Sequence, residues 1–518
     1  MALPPPLGRS PGFAALLLFF CLGNAWCADE AGGRRLYLEG VTPSGEPLRA
    51  LVGFGQTPLS GQAVACGNCH GADGQGRPEG GVLPLAIGWE ELTKPYGHAH
   101  ASRRHGAFDE RSFTRAVNEG LDPAGNRLDW AMPRYALSRA DAEALVAHLK
   151  RLGEERAPGV GEAALRIGTI LPDRGRLAPA AGAMRAALAA YAETLNRAGG
   201  IHQRRLEIIV ASDYREARDR FAKEPVFALL SPVELEGKGE LGAFVLRAKL
   251  PTIGALSNAP NLISESHGFV FQVLPGLAEE AAVLVDFAAR RAGSALRGAI
   301  VASGAAADDE AAQAADRRCA ERGCGELTRI GWYATRFDAA AAVKRLKAER
   351  REQVFYFGAD VEFGELLGEL GRASDASWRP VVYAPGALAR AALAARERFS
   401  GALFLAFPAA PAGRTPQSAQ AWDALRREFK LGTQYEAAQM AALAAASVLV
   451  EGLRRAGRQL SREGFVRALE SLNKYDPQGY GPTVSFGPDR RAGARGGYVV
   501  ELEPGRGLVP VSGWIALD

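Results

Sequence analysis

The sequence predicts a multidomain chain in which a small all-α domain precedes a larger α/β module with parallel sheets. Two observations predict this division. The 518 residues exceed what one hydrophobic core accommodates, and the apolar pattern changes at a Gly-, Pro-, Glu- and Ala-rich stretch over 153–164. Glycine-rich loops separate short helical patterns before that stretch, whereas short apolar runs alternate with helical patterns after it. We therefore expect a linker at 153–164, between a domain at 29–152 with its core at about 58–152, and a module at 165–518.

The composition is typical of a water-soluble globular protein. Apolar residues make up 47% of the chain and charged residues 23%, which argues against a disordered, collagen-like or membrane-embedded chain. The net charge is +4, and no dense basic tract is interleaved with aromatic residues. We therefore expect no nucleic-acid partner.

The strongest apolar run, Phe13–Leu22, has the length of a signal-peptide core and is too short to span a bilayer. It predicts a signal peptide at 1–28, export to the periplasm and no stable membrane insertion after cleavage. An uncleaved N-terminal anchor is the alternative. Lipid modification of Cys27 is disfavoured because the bulky Trp26 precedes it.

The six cysteines sort into pairs. Cys21 and Cys27 belong to the leader, and Cys66 and Cys69 form a close pair. Cys319 and Cys324 flank a short loop that contains glycine, a spacing that favours a disulfide in an oxidising compartment. Two separate buried thiols are the alternative.

Local patterns place the secondary structure. In the first domain, Phe108–Glu119 and Ser138–Leu152 have helical spacing, with Ser138 as N-cap and Asp141 as the acid of a capping box. In the module, Ala181–Asn196 has the pattern of an Ala-rich helix. The buried-type strands are predicted at Leu165–Leu171, Leu206–Ala211, Val226–Leu230, Pro251–Ala255, Gly298–Ala302, Val354–Phe357 and Pro380–Tyr383.

The segment Cys66-Gly67-Asn68-Cys69-His70 matches the attachment pattern of c-type haem. On one helical turn, two thiols reach the two vinyl groups while the following histidine reaches the iron. Half of a zinc site and a redox dithiol are the alternatives. The first domain offers no second cysteine pair and no βαβ setting, so we predict one covalently attached haem held by Cys66 and Cys69, with His70 on the iron.

Met132 is the predicted sixth iron ligand because it is the only methionine between the leader and the linker. It stands in a loop, followed by Pro133, just before the last predicted helix. The alternatives are the four histidines of the domain besides His70, which are His98, His100, His105 and His148.

Residues of about 58–152 resemble a class I cytochrome c domain. The resemblance rests on Gly61–Gly76, which contains the attachment motif, and on Phe113–Leu152, which contains the Met-Pro loop and a closing helix. It implies that the carbonyl of Pro84 accepts the ring N–H of His70. Histidine and methionine on iron imply an electron carrier with a redox partner protein and no catalysis at the haem.

The module from about Leu165 to Asp518 resembles periplasmic binding proteins of the branched-chain amino-acid and amide type, which have two α/β lobes around a hinged cleft. The matching segments are Ile167–Pro172, Leu195–Ile201, Asp213, Val226–Pro232, Pro251–Gly254 and Gly481–Phe486. The resemblance implies a small-molecule solute at the carboxyl ends of the strands.

The resemblance also implies site residues. Ser257 and Asn258 fall where the family holds a ligand carboxylate, although helix capping explains them equally well. Tyr214, Tyr356 and Asp360 lie near other strand ends and are candidates to line the cleft. Packing on the surface or in the core is the more common role of such residues and is the alternative for each.

Two departures from the family make a plain amino acid a poor ligand. Ala384-Pro385-Gly386-Ala387 lacks the acid that binds an ammonium, and Glu234 and Glu236 would repel an anion.

Together these features predict a periplasmic c-type electron carrier with a fused solute-binding module that serves a dehydrogenase or respiratory pathway. The alternative is the solute receptor of an ABC-type importer with an appended cytochrome. We expect no enzyme activity, because the chain has one haem motif, no dinucleotide signature and no nucleophile motif.

Overall fold

The computed structural model describes residues 30–76, 82, 84–100, 103–152, 156–234, 239–257, 262, 266, 268–293, 295–332, 336–409 and 416–517. The predicted leader, residues 153–155 of the predicted linker, and Asn258 lie outside these residues. The chain divides into two compact units, residues 1–156 and 157–518.

The first unit is built on short helices. Their bounds are residues 30–39 (α1), Cys66–His70 (α2), Trp89–Leu92 (α3), Glu110–Glu119 (α4) and Arg139–Arg151 (α5). Helix α5 begins as predicted, since the Ser138 side chain accepts the Asp141 N–H and the Asp141 carboxylate accepts the Ser138 N–H. Helix α4 starts at Glu110 because Asp109 is its N-cap and accepts the Ser112 N–H at 2.7 Å.

Short strands, which the sequence analysis did not predict, accompany these helices. They are Arg49–Val52 (β1), Thr57–Ser60 (β2), His98–His100 (β3), Arg103–His105 (β4) and Arg134–Tyr135 (β5). An antiparallel sheet has the order β2-β1-β5, and β3 pairs with β4. Strands of two to four residues are too short to produce a recognisable alternation of apolar and polar residues.

The core of the first unit also begins earlier than residue 58. Leu36 and Tyr37 of α1 are fully buried and pack in the same cluster as Leu149 of α5. Gly33 permits this packing, because a Cβ atom there would lie 1.9 Å from the Ala144 carbonyl oxygen. Helix α1 is therefore an integral part of the domain.

The second unit contains two larger sheets. The first has five parallel strands in the order β12-β10-β8-β6-β7, and the second has the order β14-β13-β15-β16-β17-β18-β19, with β20 paired to β18. The strands of the first sheet are Ala164–Ile170 (β6), Arg205–Ala211 (β7), Leu229–Leu230 (β8), Thr252–Ile253 (β10) and Val270–Phe271 (β12). Beside it, Val233–Glu234 (β9) pairs with Leu256–Ser257 (β11).

The second sheet is parallel through β17 and antiparallel beyond it. Its strands are Gly298–Ser303 (β13), Thr328–Trp332 (β14), Gln353–Phe357 (β15), Val381–Pro385 (β16), Leu403–Phe407 (β17), Gly496–Glu503 (β18), Gly507–Pro510 (β19) and Ile515–Ala516 (β20). Every buried-type strand predicted from the sequence is present, although β8 and β10 are shorter than predicted.

Helices connect the strands of both sheets. They are Ala178–Arg197 (α6), Tyr214–Lys223 (α7), Glu240–Ala248 (α8), Leu277–Ala292 (α9), Ala306–Arg322 (α10), Ala339–Ala348 (α11), Asp360–Ala373 (α12), Ala389–Ala395 (α13), Pro416–Glu428 (α14), Glu436–Ala456 (α15) and Arg462–Glu470 (α16). Among the described residues, α15 alone is long and apolar enough to cross a membrane, and 78% of its most apolar stretch is buried inside the protein. It packs against α6 and α16, so we interpret it as a core helix.

A buried ion cluster joins α9 to α10. The Asp286 side chain is fully buried and accepts two hydrogen bonds from each of Arg318 and Arg322, at 2.6–2.9 Å. Although burial alone would raise it, these arginines hold the pKa of Asp286 below its usual value. This stabilisation is therefore fully present above the unfolded pKa of about 4 and is lost as the pH falls through the lower folded pKa.

Asp286→Asn is accordingly expected to lower the free energy of unfolding by roughly 3 kcal/mol at pH 7, and to lower it less as the pH falls below about 4. Denaturant unfolding followed by circular dichroism measures the change. Asp309→Asn is the matched control, because this half-exposed acid of α10 pairs with Arg329 at 3.2 Å and accepts a hydrogen bond from Gln313 at 2.8 Å. Such an exposed ion pair is worth under about 1 kcal/mol. Equal losses in the two variants would contradict the account.

Candidate functional site

Helix α2 places Cys66, Cys69 and His70 on little more than one helical turn. Neither cysteine is part of a disulfide, and burial raises the pKa of the Cys66 thiol to about 12. A redox dithiol needs a thiolate at neutral pH, and burial disfavours a thiolate at Cys66. The described residues contain no group of three His, Cys, Asp or Glu side chains that could hold a metal ion.

The His70 ring is oriented by a backbone carbonyl. Its Nδ1 lies 2.9 Å from the carbonyl oxygen of Leu85, which leaves Nε2 for an axial ligand bond. Burial lowers the pKa of His70, so the ring is held in the neutral form that ligates iron.

The carbonyl partner predicted for His70, that of Pro84, is wrong by one residue. The Pro84 carbonyl is directed at Gly76, where a Cβ atom would lie 2.0 Å from the Pro84 oxygen. Gly76 has φ +82° and donates its N–H to the His70 carbonyl at 2.8 Å. Gly76 therefore occupies the space beside Pro84, and the next carbonyl, that of Leu85, reaches the ring.

Two buried tyrosines hold the ends of α2, and the sequence analysis did not single them out. The Tyr37 hydroxyl donates to the Gly71 carbonyl at 2.7 Å, and the Tyr135 hydroxyl donates to the Val64 carbonyl at 2.9 Å. Tyr135 lies three residues after Met132 in the sequence, so it connects the segment that follows the methionine to the segment before Cys66. The position of Tyr135 beside Met132 and Pro133 was the available signal for Tyr135, whereas Tyr37 is far from both motifs in the sequence.

Met132 is half-buried and packs against the hydrophobic cluster that Cys66 also contacts. The histidine alternatives are arranged differently. The His98 and His105 rings lie 5.1 Å apart across the β3–β4 hairpin, and the buried His148 ring lies 5.2 Å from Tyr37. The His100 side chain lies outside the described residues. The two thiols of α2, the oriented imidazole and the methionine in the shared cluster fit a covalently bound haem.

At the carboxyl edge of the first large sheet, the Glu234 carboxylate accepts a hydrogen bond from the Ser257 hydroxyl, which was expected to bind the solute. Glu234 is 6% exposed, and its Oε1 accepts the Glu240 N–H at 2.7 Å. Its Oε2 accepts the Ser257 hydroxyl at 3.4 Å. Burial raises the pKa of Glu234 above its usual value.

Tyr214 begins α7 at the same edge. Its hydroxyl is buried and has no hydrogen-bond partner among the described residues. Burial raises the pKa of Tyr214, and the negative charges of Glu234 and Glu240 add to that effect. The structure therefore brings Tyr214, Glu234 and Ser257 to one edge of one sheet, as the parallel topology requires.

At the second large sheet, the prediction that Tyr356 lines a cleft is wrong. Tyr356 is fully buried, it stacks on Phe363, and its hydroxyl donates to the Ala359 carbonyl at 3.0 Å. Strand β15 has neighbours on both sides and is covered on both faces, so its side chains enter the core. Asp360 is the first residue of α12 and lies 3.7 Å from the Arg390 guanidinium.

The buried acid Glu280 lies next to Gly386, in the turn that lacks the acid expected from the family resemblance. Glu280 of α9 is 9% exposed, and its carboxylate accepts the Gly386 N–H at 3.1 Å. Burial raises the pKa of Glu280 to about 8. A side chain at Gly386 would lie 2.5 Å from the Ala406 carbonyl oxygen, so the acid at this place comes from a helix and not from the turn. The sequence analysis missed Glu280 because it is 106 positions away from Gly386.

Cys319 and Cys324 are joined in a disulfide across the end of α10, with their Cα atoms 5.1 Å apart. Both are buried in the core beneath the second large sheet.

The family models match two parts of the chain. Periplasmic binding protein matches residues 164–507, and Cytochrome c matches residues 60–153. The chain belongs to the periplasmic binding protein family. It carries a cytochrome c domain ahead of its periplasmic binding protein module, and proteins of both kinds are typically periplasmic and non-enzymatic. No curated protein matches the chain significantly.

Solved structures with the fold of the periplasmic binding protein module include three examples. The branched-chain amino-acid ABC transporter from Thermus thermophilus with bound valine is 16% identical, with TM-score 0.55, and the match covers 69% of this chain and 97% of that one. The fatty acid ABC transporter substrate-binding protein from Thermomonospora curvata is 17% identical, with TM-score 0.54 and coverage of 70% and 95%. Periplasmic binding protein type 1 from Bordetella pertussis Tohama I is 17% identical, with TM-score 0.55 and coverage of 67% and 99%.

Proposed function

We propose that this protein is an exported c-type electron carrier whose fused module binds the solute of a periplasmic dehydrogenase or respiratory pathway. The main supporting observation is the orientation of His70, whose Nδ1 is held by the Leu85 carbonyl so that Nε2 remains for iron. The haem would supply one-electron transfer, and Cys66, Cys69, His70 and Met132 would hold it.

The test of this proposal is reduction of the purified ferric protein under anaerobic conditions. A periplasmic extract of the source organism is expected to reduce the haem faster when the solute of the module is present. The same extract without solute is the control. A rate that no solute changes, for a solute that demonstrably binds, would favour the role of an importer's receptor instead.

The carboxylates of the module indicate the class of solute. The Ser257 hydroxyl, which the family resemblance assigns to a ligand carboxylate, already donates to Glu234. A carboxylate brought to this edge would meet the buried Glu234. We therefore propose a neutral or cationic solute without a carboxylate, since an unpaired buried charge costs several kcal/mol.

A thermal-shift screen of the full-length holoprotein tests this class. Amides, short-chain alcohols, aldehydes, amines and aromatic compounds without a carboxylate are the candidate solutes, and plain amino acids and carboxylic acids are the comparison. A solute at 100 times its Kd increases the free energy of unfolding by about 2.7 kcal/mol. This increase raises the Tm of the module by several degrees. Plain amino acids and carboxylic acids are expected to leave the Tm unchanged.

Micromolar binding of leucine by the wild-type protein would contradict the proposed solute class, and Glu280 would then be the acid to test for the ammonium. Glu234→Gln keeps an acceptor but removes the charge, so it is expected to weaken the discrimination against carboxylates. Glu207→Gln, at a half-exposed acid of β7, is the control and is expected to leave the discrimination unchanged.

A further inference from the structure

The Arg134 guanidinium donates hydrogen bonds to three carbonyls of the loop that carries Met132. Its Nη2 donates to the Leu128 carbonyl at 2.9 Å and to the Asp129 carbonyl at 3.1 Å, while its Nη1 donates to the Met132 carbonyl. Three carbonyls within five residues thus share one guanidinium. The planar fork of an arginine fixes the directions of these bonds, which the single ammonium of a lysine cannot do.

The neighbouring residues leave space for this guanidinium and pack against it. Gly120 ends α4 with φ +72°, and a Cβ atom there would lie 1.9 Å from the Arg134 Nε. The Trp130 ring lies 5.9 Å from the Arg134 Cζ. Burial lowers the pKa of Arg134, whereas the negative charge of Asp129 raises it, and an arginine stays charged throughout the accessible pH range.

The turn that precedes the 128–132 loop, at residues 120–128, has a counterpart with the same hydrogen bonds at residues 40–48. After α1, the Gly45 N–H donates to the Thr42 carbonyl and the Leu48 N–H donates to the Gly40 carbonyl. After α4, the Gly125 N–H donates to Asp122 and the Leu128 N–H donates to Gly120, in the same pattern.

The two copies then diverge. Beyond Leu48 the chain enters strand β1, which pairs on both sides. Beyond Leu128, residues 129–132 belong to no strand in the described structure. The carbonyls of Asp129 and Met132, like that of Leu128, accept hydrogen bonds from Arg134 instead of from a neighbouring strand.

We propose that Arg134 is the positioning residue that holds the 128–132 loop in the conformation in which the Met132 thioether reaches the haem iron. This proposal rests on the assignment of Met132 as the sixth ligand. A thioether is a weak iron ligand, so its occupancy depends on how firmly the loop holds it in place. Arg134 acts through the backbone, and Arg134 itself contacts neither the iron nor the redox partner in this role.

The experiment measures the ferric holoproteins of Arg134→Gln and Arg134→Lys. Arg134→Gln is expected to weaken the near-infrared sulfur-to-iron band, to lower the midpoint potential and to tighten imidazole binding at the iron at least about tenfold, because several charged hydrogen bonds are lost. Arg134→Lys, which keeps the charge without the fork, is expected to show the same changes to a smaller extent.

Arg127→Gln is the matched control, because this exposed arginine of the same segment contributes charge without any hydrogen bond to the 128–132 carbonyls in the described structure. It is expected to leave the band and the imidazole affinity unchanged. The proposal is overturned if Arg134→Gln keeps the wild-type band and imidazole affinity while Met132→Ala loses the band. If Met132→Ala itself keeps the band, the ligand assignment fails, and the role of Arg134 fails with it.

Discussion

Replacing both Cys66 and Cys69 with alanine is expected to abolish covalent haem. The two thiols are the only attachment points that α2 offers to the vinyl groups, and neither is part of a disulfide. A haem stain of the denatured chain after electrophoresis measures the loss, with immunodetection to show that the chain is present. The expected signal is that of background.

Cys319→Ala combined with Cys324→Ala is the matched control for this prediction. This pair removes the same number of cysteines from the second unit, where the two are joined to each other. Its haem stain is expected to equal that of the wild-type protein. Haem retained by the denatured Cys66 and Cys69 variant would show that the attachment site is elsewhere.

Replacing Met132 with alanine is expected to lower the midpoint potential by an amount on the order of 100 mV, a fraction of the ~0.8 V that axial ligands span. A soft thioether favours Fe(II), so its loss favours Fe(III). The near-infrared sulfur-to-iron band is expected to disappear as well. Redox titration followed by absorbance measures both changes.

Met184→Ala is the control, because this methionine is buried in the core of the second unit and belongs to α6. It is expected to leave the potential and the band unchanged. An unchanged spectrum in Met132→Ala would move the sixth ligand to one of the histidines, which are His98, His100, His105 and His148.

Features that depend on a few consecutive residues could be predicted from the sequence. The capping box of α5 needs only Ser138 and Asp141, and the structure forms it. The attachment motif needs only the five residues of α2, which form one short helix. The positions of the buried strands along the chain could be predicted from their apolar runs, and tertiary structure did not override this pattern.

Features that depend on how the chain folds back on itself could not be predicted. The choice of the Leu85 carbonyl over that of Pro84 is set by the close approach of Gly76. The acid beside Gly386 comes from Glu280, in a distant helix. Tyr356 enters the core because β15 is covered on both faces, which its position at a strand end did not reveal.

We propose that this chain carries a single covalent haem on Cys66 and Cys69. Denaturing mass spectrometry of the purified protein, after acidified-solvent extraction and thiol alkylation without reduction, tests it most directly. The account predicts the mass of the chain plus one haem, with Cys66 and Cys69 resistant to alkylation. A chain that loses its haem on extraction and is alkylated at both cysteines would contradict it.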